Sequence, residues 1–326
     1  MTTKTKKLKN GMEIPLMGLG TSKITGPVNI VYESIKSGVR LIDTAYKYGN
    51  EKEVGEGIAL ALKDTKLNLK REDLTIMGKI WLNYRNDPES ALRNTLKNLQ
   101  LDYIDIYMDH WPSGEDYREI AIKKFDRRDI KYDPRDKFKM TSVYEFWPKM
   151  EKLVELGLAK SIGVSNYNIQ CLSNLLSFCK IKPVVNEIEY HLFYIQNTLK
   201  EFCDKQEIAV ISYYPMSLGN GAKMLILKNP HNPEFDIRKD KFLNELAEKK
   251  GATIGQIILS WHIESGVIPI PSTSHKGNDE IMKENLYSFK FELTKEEFDE
   301  LSHHFKQRSL KKLCGCIRFF GINVLA

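Results

Sequence analysis

Cysteine is scarce and unpatterned in this chain: five in 326 residues (Cys171, Cys179, Cys203, Cys314 and Cys316), an odd number with no C-x-x-C spacing. That excludes a disulfide framework or a zinc module and points to a reducing compartment. No apolar run is long enough to span a bilayer. The opening MTTKTKKLKNG is basic but has no apolar stretch of the signal-peptide kind. A cytoplasmic protein with no membrane partner is therefore expected. Glycine (20) and proline (12) are too few for collagen or low-complexity disorder. The seven histidines offer no H-E-x-x-H spacing, so no metal site is expected. No G-x-S-x-G nucleophile elbow occurs either. The three-glycine dinucleotide fingerprint is incomplete. Gly18-Leu-Gly20 follows an apolar run but has Lys23 in place of the third glycine, and Gly55-Glu-Gly57 lies inside a helical pattern. A turn glycine or a helix contact is the simpler reading of each.

Acid is in slight deficit. The formal charge is +6, from 49 Lys and Arg against 43 Asp and Glu. Such a balance invites a nucleic-acid partner, and its distribution argues against one. Thr2 to Lys9 holds four Lys and no acid, Tyr117 to Lys139 nine Lys/Arg and five acids, and Leu301 to Ala326 five Lys/Arg and no acid. The rest of the chain is mildly acidic. The loop Lys123 to Lys139 interleaves its bases with acids, as a solvated segment does. No nucleic-acid partner is expected, and the basic insertion and tail could instead draw in an anionic ligand.

Eight β-type runs stand out: Ile14 to Thr21, Val39 to Ala45, Leu74 to Trp81, Tyr103 to Trp111, Ala159 to Asn166, Pro183 to Tyr190, Ile208 to Pro215 and Val267 to Thr273. Most are nearly continuous in apolar residues rather than alternating, as strands covered on both faces should be. Helical spacing lies between them, over Val28 to Ser37, Glu51 to Leu62, Pro88 to Leu99, Val143 to Leu156, Asn168 to Cys179, Gln196 to Lys205 and Lys239 to His262. Asn50 marks a start, and Gly38 and Gly157 mark stops. Eight strands alternating with helices predict an α/β fold, the closed (β/α)8 TIM barrel. Asn10-Gly11, within Lys7 to Pro15, predicts a β-hairpin ahead of it.

Barrel chemistry gathers at the C-terminal ends of the strands. Here those ends carry Asp43 with Tyr48 soon after, Lys79, Asp109-His110-Trp111, Ser165-Asn166, Glu187, Tyr213 and Ser272-Thr273-Ser274. Singly, Asp43 reads equally well as a turn cap, His110 as structural and Tyr48 as an ordinary aromatic. Lys79 inside an apolar strand is harder to explain away, because a buried ammonium is costly unless paired. Asp43 on the neighbouring strand can pair it. A phenol beside that ammonium would have its pKa pulled down and could serve as a general acid. His110 would hydrogen-bond a substrate oxygen. Together these make proton-donating machinery for a carbonyl, which a hydride donor would complete.

These residues resemble the aldo-keto reductase family over essentially the whole chain. Asp43-Thr-Ala-Tyr-Lys-Tyr48-Gly-Asn-Glu51 and Gly157 to Asn166 (GLAKSIGVSN) are similar to two of its signatures, with Lys79 and His110-Trp-Pro112 on the expected strands. The resemblance implies a single barrel domain over residues 1–326, with the C-terminal segment Leu310 to Ala326 folded over the mouth. It implies NAD(P)H-dependent reduction of an aldehyde, aldose or ketone. Tyr48 would donate the proton, Lys79 and Asp43 would tune it, and His110 would orient the carbonyl. NADPH is the implied cofactor, although Asp279 or Glu280 near the ribose would favour NADH. Ser165, Asn166 and Glu187 would meet the nicotinamide carboxamide, and Tyr213 would stack on its ring. Ser272, Thr273, Lys276 and Asn285 would reach the adenosine end, while Trp81 and Trp111 would line the substrate pocket. A small-molecule carbonyl partner and a monomer are implied. A non-catalytic, cofactor-binding barrel acting as a regulatory or structural subunit is the alternative. Three departures from the family pattern are visible: Glu187 for the usual Gln, Tyr214 for a small residue near the pyrophosphate, and Ser22 where a Trp often forms the site wall.

Overall fold

Strand β1 (Thr5–Lys7) pairs antiparallel with β2 (Glu13–Pro15), placing Lys6 opposite Ile14. This is the hairpin expected at Asn10-Gly11, and Gly11 turns it with φ +87, a left-handed conformation that glycine adopts without a Cβ penalty. The computed structural model describes residues 4–112, 141–216, 237–272, 278–306, 318–319 and 322–323.

The next strands are β3 (Leu19–Gly20), β4 (Leu41–Asp43), β5 (Thr75–Ile80), β6 (Ile104–Asp109), β7 (Ala159–Ser165), β8 (Val185–Glu189), β9 (Ala209–Tyr213) and β10 (Val267–Pro269). They form one parallel sheet in chain order. Each lies within one of the expected runs. The first run differs: Ile14 to Thr21 reads as one strand and is two, β2 in the hairpin and β3 in the barrel. The hairpin ladder runs one residue past Pro15, where Leu16 N donates to Lys4 O at 3.0 Å, and the chain then changes sheets. The ring closes where Gly18 N donates to Pro269 O and Gly20 N to Pro271 O, both at 3.1 Å.

The closing seam explains Gly20. A Cβ there would stand 2.8 Å from the Ile270 carbonyl oxygen. Main chain lies on both sides, so no flexible side chain can yield. Gly20→Ala is expected to cost about 1–3 kcal/mol, the usual range for overpacking, read as a lower midpoint in urea unfolding. An unchanged midpoint would mean that the seam is slack.

The helices are α1 (Pro27–Ser37), α2 (Glu51–Lys63), α3 (Pro88–Leu99), α4 (Val143–Glu155), α5 (Ile169–Leu176), α6 (Asn197–Lys205), α7 (Lys241–Lys250), α8 (Ile254–Glu264), α9 (Asn278–Leu286) and α10 (Lys295–Lys306). The pattern Lys239 to His262 reads as one helix and is two. Gly251 ends α7 in the left-handed region at φ +61, and Thr253 with Gln256 starts α8 with a reciprocal capping box. Asn50 precedes α2 as expected but does not cap it, since its Nδ2 donates to Thr21 O instead. Gly55 is the helix contact it reads as: a Cβ would fall 2.6 Å from the Leu99 main chain at the end of α3.

Burial follows the barrel layout. The outward strand residues, such as Ile42, Ile76, Ile104 and Ile162, pack against helices in one large cluster. Alternate residues, among them Leu41, Met77, Ile106 and Ile211, fill the interior together with Leu8 and Ile14 of the hairpin segment. Asn10 Nδ2 also donates to Ser161 Oγ near the start of β7, at 2.6 Å. The hairpin therefore closes the N-terminal end of the barrel, and the opposite end is left for chemistry. Among the described residues no helix is long and apolar enough to cross a membrane. Strands β11 (Arg318–Phe319) and β12 (Ile322–Asn323) pair antiparallel. The expected position of the tail over the mouth, and the basic insertion, lie outside the described residues.

Candidate active site

Asp43 is the last residue of β4. Beyond it the chain makes a single 3-10 turn, Tyr46–Tyr48, closed by Gly49. That turn bends Tyr48 back over the strand ends. On β5 the register places Met77 beside Asp43; Lys79, two residues on, shares the same face one step nearer the mouth. The Lys79 ammonium is fully buried and donates to the Asp43 carboxylate. It also reaches Tyr48 Oη at 3.2 Å and Thr44 O at 3.3 Å. A fourth neighbour comes from across the barrel: Glu187 Oε2 on β8 lies 3.1 Å from Lys79 Nζ. Sequence order separates these strands, and closure of the barrel brings them together.

Electrostatics here are dominated by loss of water. Burial alone would lower the Lys79 pKa, but Asp43 and Glu187 outweigh it and hold the ammonium above its usual range. Burial pushes both carboxyl groups up, Glu187 to about 8, against the opposing pull of Lys79. The phenol of Tyr48 departs from expectation. Its ring is partly open at the mouth, yet burial of the hydroxyl, helped by the Asp43 and Glu187 carboxylates, raises its pKa above the ordinary value. Lys79 does pull it down, as the sequence suggests, but by less. Tyr48 is therefore a fully protonated donor rather than one poised near neutrality.

His110 follows β6. Its ring meets Tyr48 edge-on at 5.8 Å and Trp81 edge-on at 5.1 Å. Burial, then Lys79 and Lys47, drives its pKa well below the usual value, so the imidazole is neutral. Its buried Nδ1 has no hydrogen-bond partner among the described residues. Trp111 is buried and nearly parallel to the His110 ring, 6.5 Å away. Trp81 is half-buried with the Lys47 ammonium 5.1 Å above its ring.

A support that the sequence reading missed lies beneath His110. Arg85 Nη1 donates to Asp109 Oδ2 at 2.9 Å and to Trp111 O at 3.0 Å, and the Tyr167 hydroxyl donates to the same Asp109 oxygen at 2.7 Å. Burial raises Asp109 to about 6 although Arg85 and Tyr167 favour its charge. The trio pins both flanks of the His110-Trp111 step. A lone Arg in the loop after β5 carries no sequence signal for this.

On the adjoining rim, Asn166 sits at φ +64, a left-handed conformation that Asn tolerates better than most residues. Its Nδ2 donates to His110 O at 3.0 Å and its Oδ1 accepts from the Tyr213 hydroxyl at 2.6 Å. Ser165 Oγ donates to Glu187 O at 2.9 Å. Ser165, Asn166 and Tyr213 thus form one linked set beside the Lys79 cluster, with the Tyr213 ring half-exposed. Glu187 supplies main chain to that set and its carboxyl to the cluster. Ser272 is exposed just past β10, and Asn285 is buried on α9 with its Nδ2 4.0 Å from Met282 Sδ. Thr273 and Lys276 lie outside the described residues. Ser22 is half-buried; Tyr214 is exposed at φ +54, edge-on to Tyr213.

The rim suits a nicotinamide. It offers a half-exposed aromatic face, amide and hydroxyl groups on adjacent strand ends, and a buried imidazole nitrogen, His110 Nδ1, with no hydrogen-bond partner among the described residues. Such atoms are rare in folded proteins unless a ligand completes them.

Comparison with known proteins gives the family. Residues 17–306 match the family model described as Aldo/keto reductase family. The chain is 34% identical over 321 residues to aldose reductase C of Dictyostelium discoideum, covering 97% of this chain and 92% of that protein. It is 36% identical to the NAD(P)H-dependent D-xylose reductase of Pachysolen tannophilus, covering 93% of each. The solved aldo-keto reductase of Bombyx mori in complex with NADP superposes with a TM-score of 0.80 at 31% identity, covering 96% of this chain and 95% of that one.

Proposed function

Since this chain belongs to the aldo/keto reductase family, we propose that it is an NAD(P)H-dependent oxidoreductase that reduces an aldehyde, aldose or ketone to the alcohol, with Tyr48 as the proton donor. The observation that carries the reading is one buried ammonium, Lys79 Nζ, held by Asp43 and lying 3.2 Å from the Tyr48 hydroxyl. A structural ion pair has no need of a phenol at its open end.

The chain's own residues divide the work. Tyr48 holds the proton destined for the carbonyl oxygen, and Lys79 opposes the rise in its pKa that burial causes. Asp43 fixes Lys79. His110, neutral, offers a hydrogen bond that orients the carbonyl oxygen. Trp81 and Trp111 give the substrate an apolar wall. Ser165, Asn166, Glu187 and Tyr213 would hold the nicotinamide end, and Ser272, Thr273, Lys276 and Asn285 the adenosine end. A reduced nicotinamide supplies a hydride to the carbonyl carbon when bound. NADPH is the proposed cofactor, NADH its competitor, and the protein is read as a cytoplasmic monomer with a small-molecule partner.

The test is a panel of aldehydes, aldoses and ketones, followed by loss of NADPH and then NADH absorbance. At least one carbonyl should turn over, and the cofactor should quench tryptophan fluorescence. A chain that binds neither nucleotide is not this enzyme.

A further inference from the structure

Two carboxyl groups face one ammonium inside the barrel. Asp43 and Glu187 both contact Lys79 Nζ, and all three side chains are at most 2% exposed. Two ionised carboxylates against one ammonium would leave a net negative charge in a dry site, which is costly. One of the pair must carry a proton. Asp43 takes the direct ammonium hydrogen bond, so it is the ionised member. Glu187 has only the longer contact with the ammonium, 3.1 Å from Oε2, and is the protonated one.

We propose that Glu187 is a positioning residue that holds a proton in common with Asp43 at neutral pH, keeping the Lys79 cluster at zero net charge, and that release of this proton on the alkaline side weakens Tyr48 as a donor. The kinetic half of this rests on the reading of Tyr48 as the acid. Among the described residues the surroundings leave no other source of compensation. Asp43 comes from β4, Lys79 from β5 and Tyr48 from the turn after β4; Ser165 on β7 and Ile211 on β9, beside Glu187 in register, carry no charge. His110 at the end of β6 is neutral. Burial sets the Glu187 midpoint at about 8, with Asp43 adding to the rise and Lys79 opposing it. Above that pH a second carboxylate stands beside the phenol and pushes its pKa further up.

The test compares Glu187→Gln, neutral at every pH, with the unaltered protein. Turnover of the unaltered enzyme should fall as pH rises through about 8 and settle at a lower plateau. In Glu187→Gln that limb should move to higher pH. Thermal unfolding without cofactor gives a second reading. The folded Glu187 midpoint lies above the unfolded value near 4.5, so its contribution is intact below that pH and is lost as pH rises through about 8. The melting temperature of Glu187→Gln relative to the unaltered protein should therefore climb across that window and then level off. Infrared absorption reads the proton without any substitution: a buried protonated carboxyl band should be present at neutral pH and vanish above about pH 8. An unmoved alkaline limb, a flat difference in melting temperature or no such band at neutral pH overturns the proposal. Full turnover in a Tyr48→Phe variant would instead overturn the reading of Tyr48 and leave the shared proton standing on the melting and infrared results.

Discussion

Tyr48→Phe should lower carbonyl turnover by about 10²–10⁴-fold, the range that a positioned general acid contributes, while leaving cofactor binding in place. The substitution removes one oxygen and keeps the ring. The edge-on contact with His110 at 5.8 Å and the Lys79 ammonium 5.0 Å over the ring both survive. Lys79 keeps Asp43, Glu187 and Thr44 O as partners, so no buried charge is stranded. The fold should not register the change, and the melting temperature should stay close to that of the unaltered protein. Quenching of tryptophan fluorescence by NADPH should likewise be unchanged, because the rim groups do not depend on the phenol. Single-turnover kinetics with an aldehyde separate the two effects. A loss confined to the chemical step supports Tyr48 as the donor. Turnover that persists undiminished rejects it.

The barrel was legible because strands covered on both faces leave long apolar runs, and every observed barrel strand falls inside one of them. The exceptions have local causes. The first run splits where the chain leaves the hairpin after Leu16, and Gly251 with the Thr253 capping box splits the last helix; Gly251 stands in the sequence as punctuation that periodicity alone outvoted. The site was half legible. Asp43, Lys79, Tyr48 and His110 sit at the ends of consecutive strands, so neighbour-to-neighbour reasoning found them. The family resemblance puts Glu187 on the cofactor side. Its carboxyl belongs to the Lys79 cluster because closure brings β8 to face β4 and β5, a relation that strand order does not display. The Tyr48 pKa had the wrong sign for a related reason. The nearest charge is visible in sequence, whereas desolvation by the whole barrel mouth is not. Arg85 and Tyr167 left no trace, since each is one polar residue in a loop until the fold aims both at Asp109.

Lys79→Met should damage both the chemistry and the fold, which makes it the more informative of the two substitutions. Methionine matches the length of the side chain and removes its charge. Asp43 and Glu187 then share a dry site with no cation. Removing one partner of a buried ion pair typically costs about 3–5 kcal/mol, so a clear drop in melting temperature at neutral pH is expected. The sign of its pH dependence follows from the carboxyls. Without Lys79 their midpoints rise further above the unfolded values, so the variant loses stability more steeply than the unaltered protein as pH climbs, and recovers part of it in acid. Turnover should fall about as far as in Tyr48→Phe, because the cation that opposes the upward shift of the phenol is gone. A double variant decides whether the two residues act as one unit. If Lys79 works through Tyr48, adding Lys79→Met to Tyr48→Phe should cost little further rate, a strongly non-additive cycle. Rates that multiply independently would place Lys79 outside the proton-donating step, and a Lys79→Met variant with normal turnover and normal melting at neutral pH would remove it from the mechanism.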